Sequence, residues 1–252
     1  MSSELGHDRR EPLVFIHSLG LDAQMWAPQL EFFSRHFPVL TLDIPGHGSA
    51  PVTEGPATLD ALCDAMLVTL DAASVNRFHL CGLSLGGQIA LRLTLRLRDR
   101  VRSLAACATA ARIGTRAGWQ ERIAQVERGG LGAIADVAME RFFSTGFRRR
   151  EPATVEAQRR VLSATSSTAY IRCCEVLRDT DLTSEIASIR TPSLFIAGAL
   201  DISTPPGQLQ ELADGVGGAR MTTLNGAHLI NLEAKDAFNE AVLEHTMKRR
   251  DT

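Results

Sequence analysis

Phe78-His79-Leu80-Cys81-Gly82-Leu83-Ser84-Leu85-Gly86-Gly87 decides how the rest of the chain is read. Through Gly82 it is apolar enough for a strand covered on both faces. The remainder fits G-x-S-x-G and runs into residues 86–98, where Ile89, Ala90, Leu93 and Leu97 share one helical face. A serine wedged between a buried strand and a helix sits on a sharp turn. The residues two before and two after it must then lack side chains, which Gly82 and Gly86 satisfy. Such a turn exposes the Ser84 hydroxyl. It also aims the first helical N–H groups, that of Leu85 among them, at any negative charge developing beside it.

Working outward, short apolar runs recur at residues 13–17, 39–44, 101–109, 193–198 and 220–224. Between them lie helical patterns. Residues 59–72 put Leu59, Leu62, Cys63, Met66, Leu67 and Leu70 on one stripe, and 235–247 form a C-terminal amphipathic helix. Strand–helix alternation predicts an α/β fold with a mostly parallel, doubly wound sheet. The alternation stops between residues 113 and 180, which read as helices over 116–128, 131–142, 152–163 and 167–178. Gly129-Gly130 and Ser144-Thr145-Gly146 break the pattern. The sheet needs strands from both sides of this stretch. The expected organisation is therefore a core of residues 1–112 and 181–252 with a helical insertion over 113–180. The insertion holds eleven Arg against eight carboxylates, a net +3, leaving −5 for the rest of a chain whose formal charge is −2.

Composition narrows the function classes. With 252 residues, 44% hydrophobic and 22% charged, the chain can bury a large core without staples. A slightly acidic balance with no basic stripe argues against nucleic acid as partner. No apolar run reaches the roughly 18 residues of a membrane span. The first eleven residues are polar and lack a secretory signal, so a cytoplasmic protein is expected. Cys63, Cys81, Cys107, Cys173 and Cys174 are scattered without CxxC or zinc spacing and read as reduced, buried thiols; no metal and no cofactor are expected. Of the 27 basic residues only Lys235 and Lys248 are Lys, and Arg suits planar carboxylate recognition.

A serine hydroxyl is a poor nucleophile until a base takes its proton, and the base needs an orienting acid. In hydrolases built on such a sheet the chain order is Ser, acid, His. Asp201 falls just past the run 193–198, and His228, in Asn225-Gly226-Ala227-His228, just past the run 220–224. Both would join Ser84 at the carboxyl edge of the sheet, where open α/β sheets place their sites. Asp179 and Asp181 compete for the acid's role but come before the next strand. His17-Ser18-Leu19-Gly20 follows the first strand, where the loop supplies a second oxyanion N–H, that of Leu19. His17 is read as ordering this loop, His47 as shaping the site wall, and His36, His79 and His245 as packing or surface residues.

Taken together, His17 to Gly20, Asp43 to Gly48, Gly82 to Gly87, Asp201 and His228 resemble the α/β-hydrolase fold over nearly the whole chain. Within it the chain most resembles 3-oxoadipate enol-lactonases of the β-ketoadipate pathway. Ser18-Leu19-Gly20 carries that likeness, with Ser where many relatives have Gly. So do Ala110-Ala111-Arg112-Ile113-Gly114-Thr115 with Trp119-Gln120-Glu121-Arg122-Ile123, similar to the family's lead-in to its cap. Cys173 through Leu182 is similar to the way out. The resemblance implies a serine esterase opening a small carboxylated lactone: Ser84 as nucleophile, His228 as base, Asp201 as orienting acid, Leu19 and Leu85 N–H as oxyanion hole. Trp119 and Arg122, three apart on one helical face, are expected to contact substrate from the cap. The chain departs from the family in a shortened N-terminus, so near six strands rather than eight are expected. Phe142-Phe143 stands where relatives tend to carry Trp-Phe. A general carboxylesterase, a carbon–carbon bond hydrolase of the same fold and a non-catalytic binding protein are the alternatives.

Overall fold

The computed structural model describes residues 11–248; the shortened N-terminus expected from the sequence lies mostly outside them. Leu13-Val14-Phe15-Ile16 forms β1 with every side chain buried. The other strands are β2 (Val39–Leu42), β3 (Phe78–Leu83), β4 (Val101–Cys107), β5 (Ser193–Gly198) and β6 (Arg220–Leu224). They make one six-stranded sheet in the order β2-β1-β3-β4-β5-β6, with every neighbouring pair parallel. β3 and β5 are buried throughout, as their unbroken apolar runs predict, whereas β6 at the edge is partly exposed. After β1 the chain steps out to β2, then returns to the other side of β1 for β3. The order therefore reverses at β1/β3, and the crevice beyond the carboxyl ends of these two strands is where ligands bind in such sheets.

Helices α1 (Ala27–Phe33), α2 (Leu59–Ala72) and α3 (Leu85–Arg96) follow β1, β2 and β3. The first turn of α2 is closed by Thr58, whose hydroxyl accepts the Ala61 N–H at 3.1 Å. An aromatic cluster joins β1 to the helices behind it: Phe15 lies 4.8 Å from Trp26 and 5.7 Å from Phe33, and Trp26 6.0 Å from Phe238, centroid to centroid. Between β4 and β5 come α4 (Arg116–Gly129), α5 (Gly132–Phe142), α6 (Thr145–Arg150), α7 (Pro152–Ala164) and α8 (Ser167–Asp179). α4 packs on α8 and α5 on α7. The two ends of this insertion are stitched together by Leu182 N–H donating to the Ala111 carbonyl at 3.0 Å. After β5 follow α9 (Pro206–Gly215), α10 (Ile230–Glu233) and α11 (Lys235–Met247).

Helix α6 replaces the predicted break. Ser144 does end one helix pattern, but its hydroxyl accepts the Phe147 N–H at 3.2 Å and so starts another. α1 and α9 go unnoticed in the sequence because each buries only two or three side chains, too few for a legible stripe. All five cysteines are free and buried. Among the described residues no helix is long and apolar enough to cross a membrane.

α3 packs directly on the backbone at the end of β1. A Cβ on Gly86 would lie 2.3 Å from the Ile16 carbonyl oxygen, a backbone atom that has nowhere to go. Gly86→Ala is expected to destabilise the protein by about 1–3 kcal/mol through overpacking. Urea denaturation checks this, and an unchanged midpoint would contradict so tight a contact.

Candidate active site

Ser84 joins β3 to α3 at φ 60° and ψ −116°, a conformation that side chains other than glycine rarely adopt. Strain of this kind costs on the order of 1–3 kcal/mol and persists only where the surroundings enforce it. Here they do. Ser84 N–H donates to the Cys107 carbonyl at 2.9 Å, and its own carbonyl accepts the Gln88 N–H at 3.1 Å and the Thr109 hydroxyl at 2.9 Å. A Cβ on Gly82 would meet the Gly86 carbonyl at 2.1 Å, so both motif glycines are required by close approach.

His228 and Asp201, on the loops after β6 and β5, come together. His228 Nδ1 donates to Asp201 Oδ2 at 2.8 Å, and both residues are buried. Asp201 also accepts the backbone N–H of Ser203 at 2.8 Å and of Thr204 at 3.1 Å, and the Thr204 hydroxyl at 2.8 Å. Burial pushes this carboxyl's pKa up; the His228 charge and these hydrogen bonds outweigh it and hold the group below its ordinary value. With Nδ1 committed to the carboxylate, Nε2 keeps the lone pair. Ser84 and His228 line the same cavity. Among the described residues no hydrogen bond joins them, a contact that in such sites often tightens only when substrate binds.

The loop after β1 is held by two neutral histidines. His17 Nδ1 donates to the Ser18 carbonyl at 2.7 Å, while Nε2 accepts the Ile44 N–H at 2.9 Å. Because Nε2 is an acceptor, the approach of Asp43 Oδ1 at 3.8 Å is not an ion pair. His47 does not line the cavity; its Nε2 accepts the Gly20 N–H at 3.2 Å. The Ser18 N–H faces Met25 Sδ at 3.5 Å. Leu19 N–H, between these two, has no acceptor among the described residues, and Leu19 lines the cavity. Leu85 N–H, at the first position of α3, is likewise unengaged.

The cavity measures about 460 Å³ and lies between the sheet's carboxyl edge and the insertion. Trp119 and Arg122 of α4 both line it. The Trp119 indole N–H is committed to the Ile113 carbonyl at 2.6 Å, so its ring face is what remains for a ligand. Sequence reasoning missed Arg141 and Tyr170, which line the same space. The signal for Tyr170 was its being the chain's one tyrosine, at the end of a turn rich in small residues; Arg141 offered none. Burial pushes the Tyr170 hydroxyl's pKa up despite the nearby Arg122 guanidinium, so it stays a neutral phenol. Neither Arg122 nor Arg141 is paired with a carboxylate among the described residues.

A model described as the alpha/beta hydrolase family matches residues 13–241. The chain belongs to that family. 3-Oxoadipate enol-lactonase 2 of Acinetobacter baylyi is 34% identical to it, over 97% of this chain and 91% of its own length. 3-Oxoadipate enol-lactonase 1 of the same organism is 31% identical, over 92% and 87%. The crystal structure of an enol-lactonase from Burkholderia xenovorans superposes with a TM-score of 0.93 at 36% identity, covering 96% of this chain and 93% of that one.

The buried histidines make stability depend on pH. Burial first, then the neighbouring His47, push the His17 pKa from 6.5 down to about 3. Between those values the unfolded chain binds a proton that the folded protein refuses, so stability falls on acidification through this window. From pH 7 to pH 5 the wild type is expected to lose roughly 2 kcal/mol more than His17→Asn. Denaturant unfolding at the two pH values checks this; equal losses would contradict it.

Proposed function

We propose that the protein is a serine hydrolase that opens 3-oxoadipate enol-lactone with water to give 3-oxoadipate, a step of aromatic catabolism by the β-ketoadipate pathway. The observation that carries the reading is the buried His228–Asp201 hydrogen bond of 2.8 Å beside a strained Ser84 on the same cavity. The names of the relatives, and two guanidinium groups without carboxylate partners, favour a carboxylated lactone over a neutral ester.

His228 Nε2 takes the proton of Ser84 Oγ as that oxygen attacks the lactone carbonyl. The oxyanion is met by the N–H groups of Leu19 and Leu85, the latter at the positive end of α3. Asp201 fixes the histidine tautomer and stabilises the imidazolium. Collapse of the tetrahedral intermediate breaks the ring C–O bond. The leaving enolate takes the proton from His228 and tautomerises to the ketone. Water, deprotonated by His228, then attacks the acyl-serine, and the returning proton frees Ser84 with the second carboxylate. The helical insertion serves as a cap over this chemistry. Trp119 covers the lactone with its ring face, and Arg122 binds the substrate's free carboxylate.

Ser84→Ala is expected to lower turnover of the enol-lactone by roughly 10⁴-fold or more; near wild-type turnover would overturn the assignment. Arg122→Ala is expected to raise KM for the enol-lactone roughly 10-fold while KM for a p-nitrophenyl ester moves less than about twofold. Equal effects on both substrates would remove the carboxylate contact. A wild type that prefers the neutral ester would mark a general carboxylesterase instead.

A further inference from the structure

The residues either side of His228 are pinned by bonds that the reaction itself does not require. The Gly226 carbonyl accepts the Leu200 N–H at 2.8 Å, which ties this loop to the segment bearing Asp201. Ala227 N–H donates to Glu233 Oε2 at 2.9 Å. Leu229 N–H donates to the Phe142 carbonyl at 2.9 Å, and the Phe142 ring stacks on the His228 imidazole at 5.7 Å and 22°. Glu233 also reaches the insertion. Its Oε2 accepts the Ser144 N–H at 3.2 Å, and its Oε1 accepts the Ser144 hydroxyl. No cation pairs with this half-buried carboxylate among the described residues; its partners are N–H and O–H donors from two separate segments. The loop also leaves room for it, since a Cβ on Gly226 would come within 3.2 Å of Glu233 Cβ and Cγ.

An ionised carboxylate is an acceptor only, and its bonds to N–H and O–H donors are stronger than neutral ones. Here one carboxylate holds the residue before His228, while Phe142 holds the residue after it. Phe142 and Ser144 are two positions apart at the end of α5 and the start of α6. A shift of this corner of the insertion therefore pulls on both neighbours of His228 together, and the backbone that carries the imidazole cannot move without straining one of the two links.

We propose that Glu233 is a positioning residue whose carboxylate bridges Ala227 N–H and Ser144, so that the seating of the insertion sets the aim of His228 toward Ser84. The proposal rests on His228 acting as the base for Ser84, and it concerns the base's alignment whatever the substrate.

The test uses a fluorophosphonate probe, whose reaction with Ser84 needs the nucleophile and base but no lactone, alongside p-nitrophenyl acetate kinetics. Thermal unfolding of each variant is followed to confirm that it is folded at the assay temperature. Glu233→Ala is expected to slow labelling roughly 10–100-fold, the size of effect that a displacement of about 1 Å produces. Its kcat for the acetate falls similarly while KM stays within about twofold of wild type. Glu233→Gln, which keeps one acceptor oxygen, recovers part of the rate. Adding Ser144→Ala to Glu233→Ala slows labelling no further, because Ser144 acts through the carboxylate. A folded Glu233→Ala that is labelled at the wild-type rate overturns the proposal. So does a purely KM effect. Should Glu233→Ala not fold, Glu233→Gln decides by the same measure: an intermediate rate supports the bridge and a wild-type rate overturns it. A wild type that the probe does not label overturns the reading of Ser84 as nucleophile, a result distinct from failure at Glu233.

Discussion

The site depends on one backbone constraint: Ser84 is held at positive φ where β3 turns into α3. That conformation is uphill by itself. It is maintained by hydrogen bonds from β4 and the loop after it, and by Gly82 and Gly86, which let α3 sit almost on the backbones of β3 and β1. Ser84 lines the cavity at the carboxyl edge, together with Ser18 and Leu19 of the loop after β1. Among the described residues the N–H groups of Leu19, in the loop after β1, and of Leu85, at the start of α3, have no acceptor. Because the order of the sheet reverses between β1 and β3, no other strand intrudes on this crevice.

Histidine chemistry is partitioned by environment. His17 and His47 act as neutral cross-links, each ring accepting a backbone N–H from a neighbouring loop inside a buried region. Burial keeps both uncharged: His17 titrates near 3 and His47 below its usual value. His228 faces a carboxylate instead, and that carboxylate carries three further donors. The carboxylate fixes the His228 ring, whereas backbone groups alone fix the His17 ring, where burial disfavours the charged form.

The fold was legible because covered strands leave unbroken apolar runs and because G-x-S-x-G has a steric cause that glycine alone satisfies. Asp201 and His228 could be found because each follows a strand at its carboxyl end, and the chain brings them within 2.8 Å. Other features had no local signature. Ser144-Thr145-Gly146 looks like a loop, yet Ser144 caps α6, since a cap and a break use the same residue types. The Ser144–Glu233 link spans 89 positions and leaves no pattern in either stretch. His47 read as a wall residue because its loop is tight; that its ring instead accepts the Gly20 N–H is a tertiary fact. Arg141 of the cavity lies on an exposed helical turn, where a solvated guanidinium and a ligand-binding one look alike.

The central claim is that Ser84 forms a covalent acyl intermediate with His228 as its base. Its most direct measurement is mass spectrometry of acid-quenched peptides taken during turnover of p-nitrophenyl acetate, with pre-steady-state release of p-nitrophenol followed in parallel. The account predicts a burst of about one equivalent and an acetyl group on Ser84 alone. Turnover without a burst and without any adduct, or an acetyl group on a different residue, would contradict it.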